Sequence, residues 1–271
     1  MLKNKVVFIT GGSRGIGRSI ALTFAKQGAS IVIAAKTADP HPHLKGTIYT
    51  VLEELEALGA NALALQVDIR DEQQVHAAIN KTMEHFGQID ILINNASAIA
   101  LTPILNTSIK QFDLMQDVNI RGTFITSQAC IPYLAKSDNP HILTLSPPLS
   151  MQAKWFNRRI AYTISKYSMS MCTLGLAEEL KPQGIAVNSL WPKTTIATAA
   201  IEVNFPDKMY QASRKPEIVA DAALAIVTQD SQHVTGNFFI DEDVLRRQGV
   251  DDFSDYALNP ELPSFPDLYI D

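Results

Sequence analysis

The chain has 271 residues, 46% hydrophobic and 19% charged, with 23 Lys and Arg against 28 Asp and Glu for a formal net charge of −5. That balance supports a packed core and excludes disorder for the bulk of the chain. No basic run exceeds two residues, which argues against a nucleic-acid partner, and no apolar run approaches the roughly 18 residues of a membrane span. The N-terminus runs straight into Val6-Val7-Phe8-Ile9-Thr10 without an apolar secretory core, so a cytoplasmic protein is expected. Cys130 and Cys172 read as inert, buried thiols.

Short β-branched runs at 6–10, 30–35, 62–67, 89–94, 141–146, 185–190 and 236–241 predict strands. They are apolar almost throughout, as strands covered on both faces must be. Helical patterns fill the gaps: 16–28 and 47–59, each closed by a glycine, 71–87 with acids at its start and Gly87 at its end, then 108–135, 160–181 and 216–228. Alternation at this spacing predicts an α/β fold, a doubly wound parallel seven-stranded sheet with helices on both faces. Ligands of such sheets bind at the carboxyl ends of the strands. Residues 1–243 read as one domain. Residues 244–271 differ: Asp251, Asp252 and Asp255 make them acidic, and Pro260, Pro263 and Pro266 predict a non-helical tail. Phe265, Leu268, Tyr269 and Ile270 are too apolar to be left in water, so the tail is expected to pack on the body or on a neighbouring subunit.

The first strand leads into Thr10-Gly11-Gly12-Ser13-Arg14-Gly15-Ile16-Gly17 and then a helix. Glycines let the backbone turn sharply and approach a phosphate, and the helix offers free N–H groups and its positive end. Gly17 also lets helix and strand pack closely. No Lys-Ser/Thr pair follows, so a nucleotide-triphosphatase loop is not expected.

Further motifs follow in order: Asp68 after the third strand, Asn94-Asn95-Ala96-Ser97, Asn119 in Val118-Asn119-Ile120, and Tyr162-Thr163-Ile164-Ser165-Lys166. Together with the glycine turn they resemble the short-chain dehydrogenase/reductase family over residues 3–241. Ser146-Pro147-Pro148, Trp191-Pro192-Lys193-Thr194 and Pro266-Asp267-Leu268-Tyr269 resemble one branch of it. The resemblance implies a Rossmann-type fold, hydride transfer between a nicotinamide dinucleotide and a C–OH/C=O group, and a homodimer or homotetramer formed through the two long helices. It places the cofactor against Gly11, Ser13, Arg14, Gly15, Ile16, Gly17, Lys36, Asp68, Asn95, Lys166 and Thr195. Ser97 and Lys193 depart from the family pattern.

The second strand ends in Lys36, where an NAD site usually presents an acid to the ribose 2′-hydroxyl. Lys36 and Arg14 would instead hold a 2′-phosphate, so NADP(H) is expected in preference to NAD(H), with Asp39 as a counter-signal beyond the ribose. Tyr162 and Lys166 share one helical face. Reducing a carbonyl requires a proton; a free tyrosine, at a pKa of about 10, is brought towards neutrality by a nearby ammonium and can then give or take it. By resemblance Lys166 also holds the ribose, and Asn119 positions a water linking Lys166 to solvent. The family's carbonyl-polarising serine falls on Pro147 by strand alignment, leaving Ser146 or Ser150 as substitutes, and Ser146 is taken as the site member.

His41-Pro42-His43 lacks acidic or cysteine partners at metal-ligand spacing, so no metal is expected. His85 and His141 read as structural. Met151, Trp155 and Phe156, with Trp191, Phe205, Met209 and Tyr210, predict a pocket for an apolar small molecule, or simply packing. The alternative to an enzyme is a nucleotide-binding sensor or scaffold on the same fold, which Pro147, Ser97 and Lys193 favour and the Tyr162–Lys166 pair opposes.

Overall fold

The computed structural model describes residues 1–42 and 44–270; His43 and Asp271 lie outside the described residues. Strand and helix alternate. The first half runs β1 (Val6–Thr10), α1 (Gly15–Lys26), β2 (Ser30–Ala35), α2 (Ile48–Ala57), β3 (Ala62–Gln66), α3 (Glu72–Phe86) and β4 (Ile91–Asn94). Next come α4 (Ile109–Met115), a π-helical stretch (Gln116–Gly122), α5 (Thr123–Leu134), β5 (His141–Thr144), α6 (Ala153–Phe156), α7 (Ile160–Glu179) and β6 (Ala186–Trp191). The chain continues through α8 (Ala199–Asn204), α9 (Asp207–Gln211), α10 (Glu217–Val227), β7 (Phe238–Ile240) and α11 (Asp241–Arg247).

All seven strands are parallel, in the order β3-β2-β1-β4-β5-β6-β7. The order reverses between β1 and β4, which opens a crevice at their carboxyl ends. Side chains alternate across the sheet, so each strand feeds two cores. Val7, Ile9, Ile31 and Ile33 pack with Phe24 of α1, Leu55 of α2 and Ile218 of α10. Val6, Phe8, Val32 and Ala34 face the other way, onto Ile79 of α3 and Ile125 of α5.

Helix ends fall where the local chemistry sets them. Thr47 and Thr50 form a reciprocal capping box at the start of α2. Asp71 accepts from the N–H groups of Gln73 and Gln74 at the start of α3, and Gly87 ends that helix in the left-handed conformation (φ 75°).

Two segments differ from the sequence reading. Residues 108–135 are not one α-helix: a π turn interrupts them at Gln116–Gly122. It follows a demand from outside the helix, because Asn119 must reach Ala98 and Ser165, and Gly122 lies so close to β3's exit that a Cβ there would sit 2.5 Å from Ile69 Cδ1. The C-terminal segment also begins helically, in α11, whose acidic first turn (Asp241, Glu242, Asp243) and basic last turn (Arg246, Arg247) complement the helix dipole. Among the described residues no helix is long and apolar enough to cross a membrane.

Candidate active site

β1 delivers the chain into a turn where Gly11 (φ 69°) and Gly15 (φ 55°) take conformations that side chains resist. A Cβ on Gly11 would lie 2.8 Å from Ala96 Cα, and one on Gly17 would lie 2.5 Å from Asn95 Nδ2 and 2.6 Å from the Gly11 carbonyl. The turn is braced from β4: Asn95 Nδ2 donates to the carbonyls of Thr10 (2.9 Å) and Gly11 (3.0 Å), and Thr10 Oγ1 accepts from Asn95 N (3.0 Å) and Ala96 N (3.1 Å). Gly17 is part of this brace; the cleft wall itself is Gly11, Ser13, Arg14, Gly15 and Ile16.

That wall borders a cleft of about 390 Å³, which Lys36, Asp68 and Asn95 line as well. Thr195 does not reach it. Its hydroxyl accepts from Ser213 Oγ (2.8 Å) and its N–H donates to the Phe265 carbonyl (3.0 Å), so it is spent in packing; Thr198, Ala199 and Ala200 line the cleft in its stead. The strand-like register after β6 could not foretell that the chain would turn into α8 there.

Three cations gather at the β2 end of this cleft: Arg14, the exposed Lys36, and Arg70, which the sequence reading did not single out. Arg14 Nη2 donates to the Gly46 carbonyl (2.8 Å), and its Nε is buried with no hydrogen-bond partner among the described residues. Asp68 is held by Arg70 through Nε at 2.9 and 3.0 Å, and this pairing keeps its carboxyl below the usual range. Asp39 is exposed and outside the cleft wall.

A second cleft, of about 170 Å³, continues from the first and contains Tyr162 and Lys166. Both come from α7, one turn apart, and both are buried. Lys166 Nζ donates to the Leu145 carbonyl (2.6 Å) and lies 5.1 Å from the centre of the Trp191 ring. Burial brings its pKa down to about 7, with Asp267 opposing. The expected lowering of the tyrosine is not what the structure shows. Burial pushes the Tyr162 phenol well above its ordinary value, and Tyr269 and Asp267 push the same way. The reason is geometric: Lys166 is tethered to Leu145, and desolvation penalises the phenolate.

Asn119 is fully buried and both its amide hydrogens are engaged: Oδ1 accepts from Ala98 N (2.7 Å), while Nδ2 donates to the Ala98 carbonyl (2.9 Å) and Ser165 Oγ (2.8 Å). It ties the β4 loop to α7, so its amide hydrogens are not free for a water. Ser146 also departs from expectation. Alternation beyond β5 turns Leu145 to the second cleft and Ser146 away from it, fully buried, with Oγ unpartnered among the described residues. Ser150 lines neither cleft.

Of the seven large side chains expected around the substrate, Trp191 and Phe205 line the second cleft. Met151 is 81% exposed, and Trp155 and Phe156 pack in a cluster with Tyr269. The remaining apolar wall is Ile99, Leu145, Ile196, Ile201 and Leu268. Cys130 is buried and Cys172 half-buried, and burial raises both thiols.

The tail closes this cleft. Asp267 N donates to the Lys193 carbonyl and Thr195 N to Phe265, so residues 265–267 run against the chain leaving β6. Tyr269 is buried in a nest of Tyr167, Trp155 and Trp191, with ring centres 5.2, 5.6 and 5.9 Å away, and its hydroxyl meets Thr163 Oγ1 (3.1 Å). Asp267 and Leu268 are thereby set into the wall. Among the described residues no cluster of three or more metal-ligating side chains forms.

A parallel sheet whose strand order reverses beside a glycine turn, with a charged cleft leading to a buried tyrosine and lysine, is the doubly wound α/β architecture in which ligands sit at the carboxyl ends of the strands. The chain belongs to the short-chain dehydrogenase family, whose model matches residues 5–208. It is 56% identical over 265 residues to hydroxysteroid dehydrogenase-like protein 2 of Danio rerio, and equally to that of Homo sapiens, covering 98% of this chain and 63% of either relative. The chain thus spans somewhat less than two thirds of the length of these relatives. Among solved structures, a short-chain dehydrogenase of Mycobacterium thermoresistibile superposes with a TM-score of 0.94 at 49% identity, covering 100% of this chain and 96% of that one. A 7α-hydroxysteroid dehydrogenase complexed with NADH and 7-oxo glycochenodeoxycholic acid superposes with a TM-score of 0.77 at 28% identity, covering 88% and 93%.

Proposed function

We propose that the protein is an NADP(H)-preferring oxidoreductase that moves a hydride between the nicotinamide and a C–OH/C=O group of an apolar small molecule, with Tyr162 as general acid/base and Lys166 as its neighbour. The observation that carries this reading is the joining of the two clefts. Ile16, Asn95, Ser97, Thr198 and Ala200 border both, so a ligand lying along the glycine turn meets the Tyr162–Lys166 pair. The related structure that holds NADH and an oxo-steroid supports the nicotinamide.

The residues present fit that group. The turn at Gly11 and Gly15 and the start of α1 suit a pyrophosphate. Arg14, whose buried Nε has no partner among the described residues, and Lys36 and Arg70 supply the positive charge that a 2′-phosphate needs. A bound nicotinamide supplies or takes the hydride. Tyr162, held neutral by burial, keeps its proton at Oη and serves as the donor to a carbonyl oxygen in the reductive direction. Leu145, Trp191, Ile201, Phe205 and Leu268 exclude water from the reacting group. Exposed Phe124, Ile164, Met171 and Leu174 on α5 and α7 fit the expected homodimer or homotetramer.

That the Ser146 hydroxyl at the β5 exit is turned away from the cleft and followed by Pro147 is the observation that favours the second reading, a nucleotide-binding sensor or scaffold. One experiment separates them. NADPH and NADH are titrated while energy transfer from Trp155 and Trp191 is followed, and apolar ketones are then offered to the wild type and to Tyr162→Phe. NADPH is expected to bind more tightly than NADH, and the variant to bind NADPH equally but lose about 10²–10⁴-fold in turnover. Failure to bind either dinucleotide would end the oxidoreductase reading. Binding with no dependence of turnover on Tyr162 would favour the scaffold.

A further inference from the structure

The walls of the second cleft raise a question of balance. A carbonyl that accepts a hydride develops negative charge on oxygen and needs hydrogen-bond donors around it. Tyr162 is one. The exit of β5 supplies no other: Leu145 faces the cleft, Ser146 faces away, and the next residue is Pro147. Among the described residues one carboxyl borders this cleft, that of Asp267, brought there by the C-terminal segment.

We infer that Asp267 is a catalytic residue: its carboxyl, as the neutral acid, donates a hydrogen bond to the same substrate oxygen that Tyr162 protonates. This rests on the oxidoreductase reading above and deepens it. The hydride goes to the carbonyl carbon, the Tyr162 proton goes to the oxygen, and Asp267 keeps its proton throughout.

The placement is built, not incidental. Asp267 N is fixed to the Lys193 carbonyl (3.0 Å), and Asp267 Oδ1 accepts from Leu268 N (2.6 Å). Oδ2 bonds no group among the described residues and is the atom free for a ligand. Two residues on, Tyr269 sits in its aromatic nest with a backbone φ of 70°, a left-handed conformation that a non-glycine residue resists and that the nest over-determines. Asp267 is partly exposed to the cleft but hemmed in by protein.

The groups that face it all bear on its proton. From α7, Tyr162 and Lys166 both feel its charge. From the start of α11, the buried Asp241 repels it, while Arg214 and the backbone N–H of Lys193 attend to Asp241 itself. Glu242, next to Asp241, is itself paired with Arg214, Lys193 and Arg246. Tyr269 feels its charge from the tail side. Burial, the largest effect, pushes the Asp267 carboxyl up to about 7 against the pull of the Leu268 N–H and the Lys166 ammonium, so the neutral acid is one of two forms populated near neutral pH.

The test compares the wild type, Asp267→Asn and Asp267→Ala, with Tyr162→Phe as control. It measures turnover of cyclic and long-chain ketones against pH, NADPH binding, thermal melting, and the infrared band of a protonated carboxyl. The infrared measurement needs no substrate: the wild type should show, below pH of about 7, a band that Asp267→Asn lacks. Asp267→Ala should lower kcat about 100-fold or more, with NADPH affinity and melting temperature little changed. Asp267→Asn keeps a neutral N–H donor at that place. It should retain most activity and lose the decline that the wild type shows as pH rises past about 7.

The inference is overturned by Asn as damaging as Ala at every pH, which would mark a carboxylate serving Lys166; by wild-type turnover and pH profile in both variants; or by no carboxyl band assignable to Asp267. A loss in Ala that merely follows lost cofactor binding and melting would assign a structural role and overturn it too. These are distinct from failure of the underlying reading, in which the wild type itself binds no reduced dinucleotide or is indifferent to Tyr162→Phe.

Discussion

Lys36 shows how much one side chain at a strand end can decide. It stands one residue past β2, exposed, beside Arg14 and Arg70 on the cleft wall. On the proposed NADP(H) reading, a lysine there would gain a charge-assisted hydrogen bond to the 2′-phosphate, of about 1.5–3 kcal/mol. Lys36→Ala is therefore expected to weaken NADPH binding about tenfold to a hundredfold and leave NADH nearly unchanged, read by the same fluorescence titration; equal loss for both dinucleotides would place the 2′-phosphate elsewhere. Arg14 is a poorer choice for this test, because its guanidinium also anchors Gly46.

Among the elements, the β1–α1 junction and the tail each hang on one residue. A Cβ at Gly17 would meet Asn95 Nδ2 and the Gly11 carbonyl, and these are the two groups whose hydrogen bond braces the turn. Neither can retreat without breaking that bond. Gly17→Ala is expected to cost about 1–3 kcal/mol and to weaken both dinucleotides alike, seen as a lower melting temperature and weaker binding. At the other end, Tyr269 anchors the tail that sets Asp267 and Leu268 in the cleft wall. Tyr269→Ala empties an aromatic nest, at about 3–5 kcal/mol. It should depress turnover more than dinucleotide binding, because the tail borders the second cleft and not the first. A variant with normal turnover would show that the wall assembles without its anchor.

At the scale of the whole molecule, the buried His141 links stability to pH. It opens β5, is 1% exposed, and its Nε2 donates to the Gln229 carbonyl (3.1 Å) while Nδ1 has no partner among the described residues. Burial lowers its pKa to about 4. The unfolded chain, near 6.5, takes up the proton that the folded chain refuses. His141 therefore contributes fully above about 6.5, and its contribution falls away as pH drops towards about 4, to a limit of order 3 kcal/mol. Asp241 and Asp267, raised to about 6 and about 7, act in the opposite sense over the same range, gaining stability as pH falls. The measurement is thus a difference: the pH slope of melting temperature between about 6.5 and about 4 should flatten or reverse in His141→Gln relative to the wild type. Parallel slopes would mean His141 is protonated in the fold.

The sequence by itself determined the sheet, the helices that cover it and the phosphate turn. Those features are written in local pattern: β-branched runs of strand length, Gly28, Gly59 and Gly87 closing helices, and glycines where the backbone must turn and approach a ligand. The glycine turn, Arg14 and Lys36 were legible from their place at strand ends, whereas Asp68 and Asn95 came from the family resemblance; all of them line the first cleft. Only the tertiary structure decided the rest. One residue of register turned Ser146 into the core and Leu145 into the cleft, a shift that no composition records. The π turn around Asn119 answers to Ala98 and Ser165, which are distant in sequence. Arg70 could be read as a solvated charge until the fold set it against Asp68. Asp267 lies about a hundred residues beyond Tyr162, and its pairing with the site depends on Tyr269 finding an aromatic nest assembled from α6, α7 and β6. Local pattern fixes backbone conformation; burial and charge at a site are sums over the whole fold.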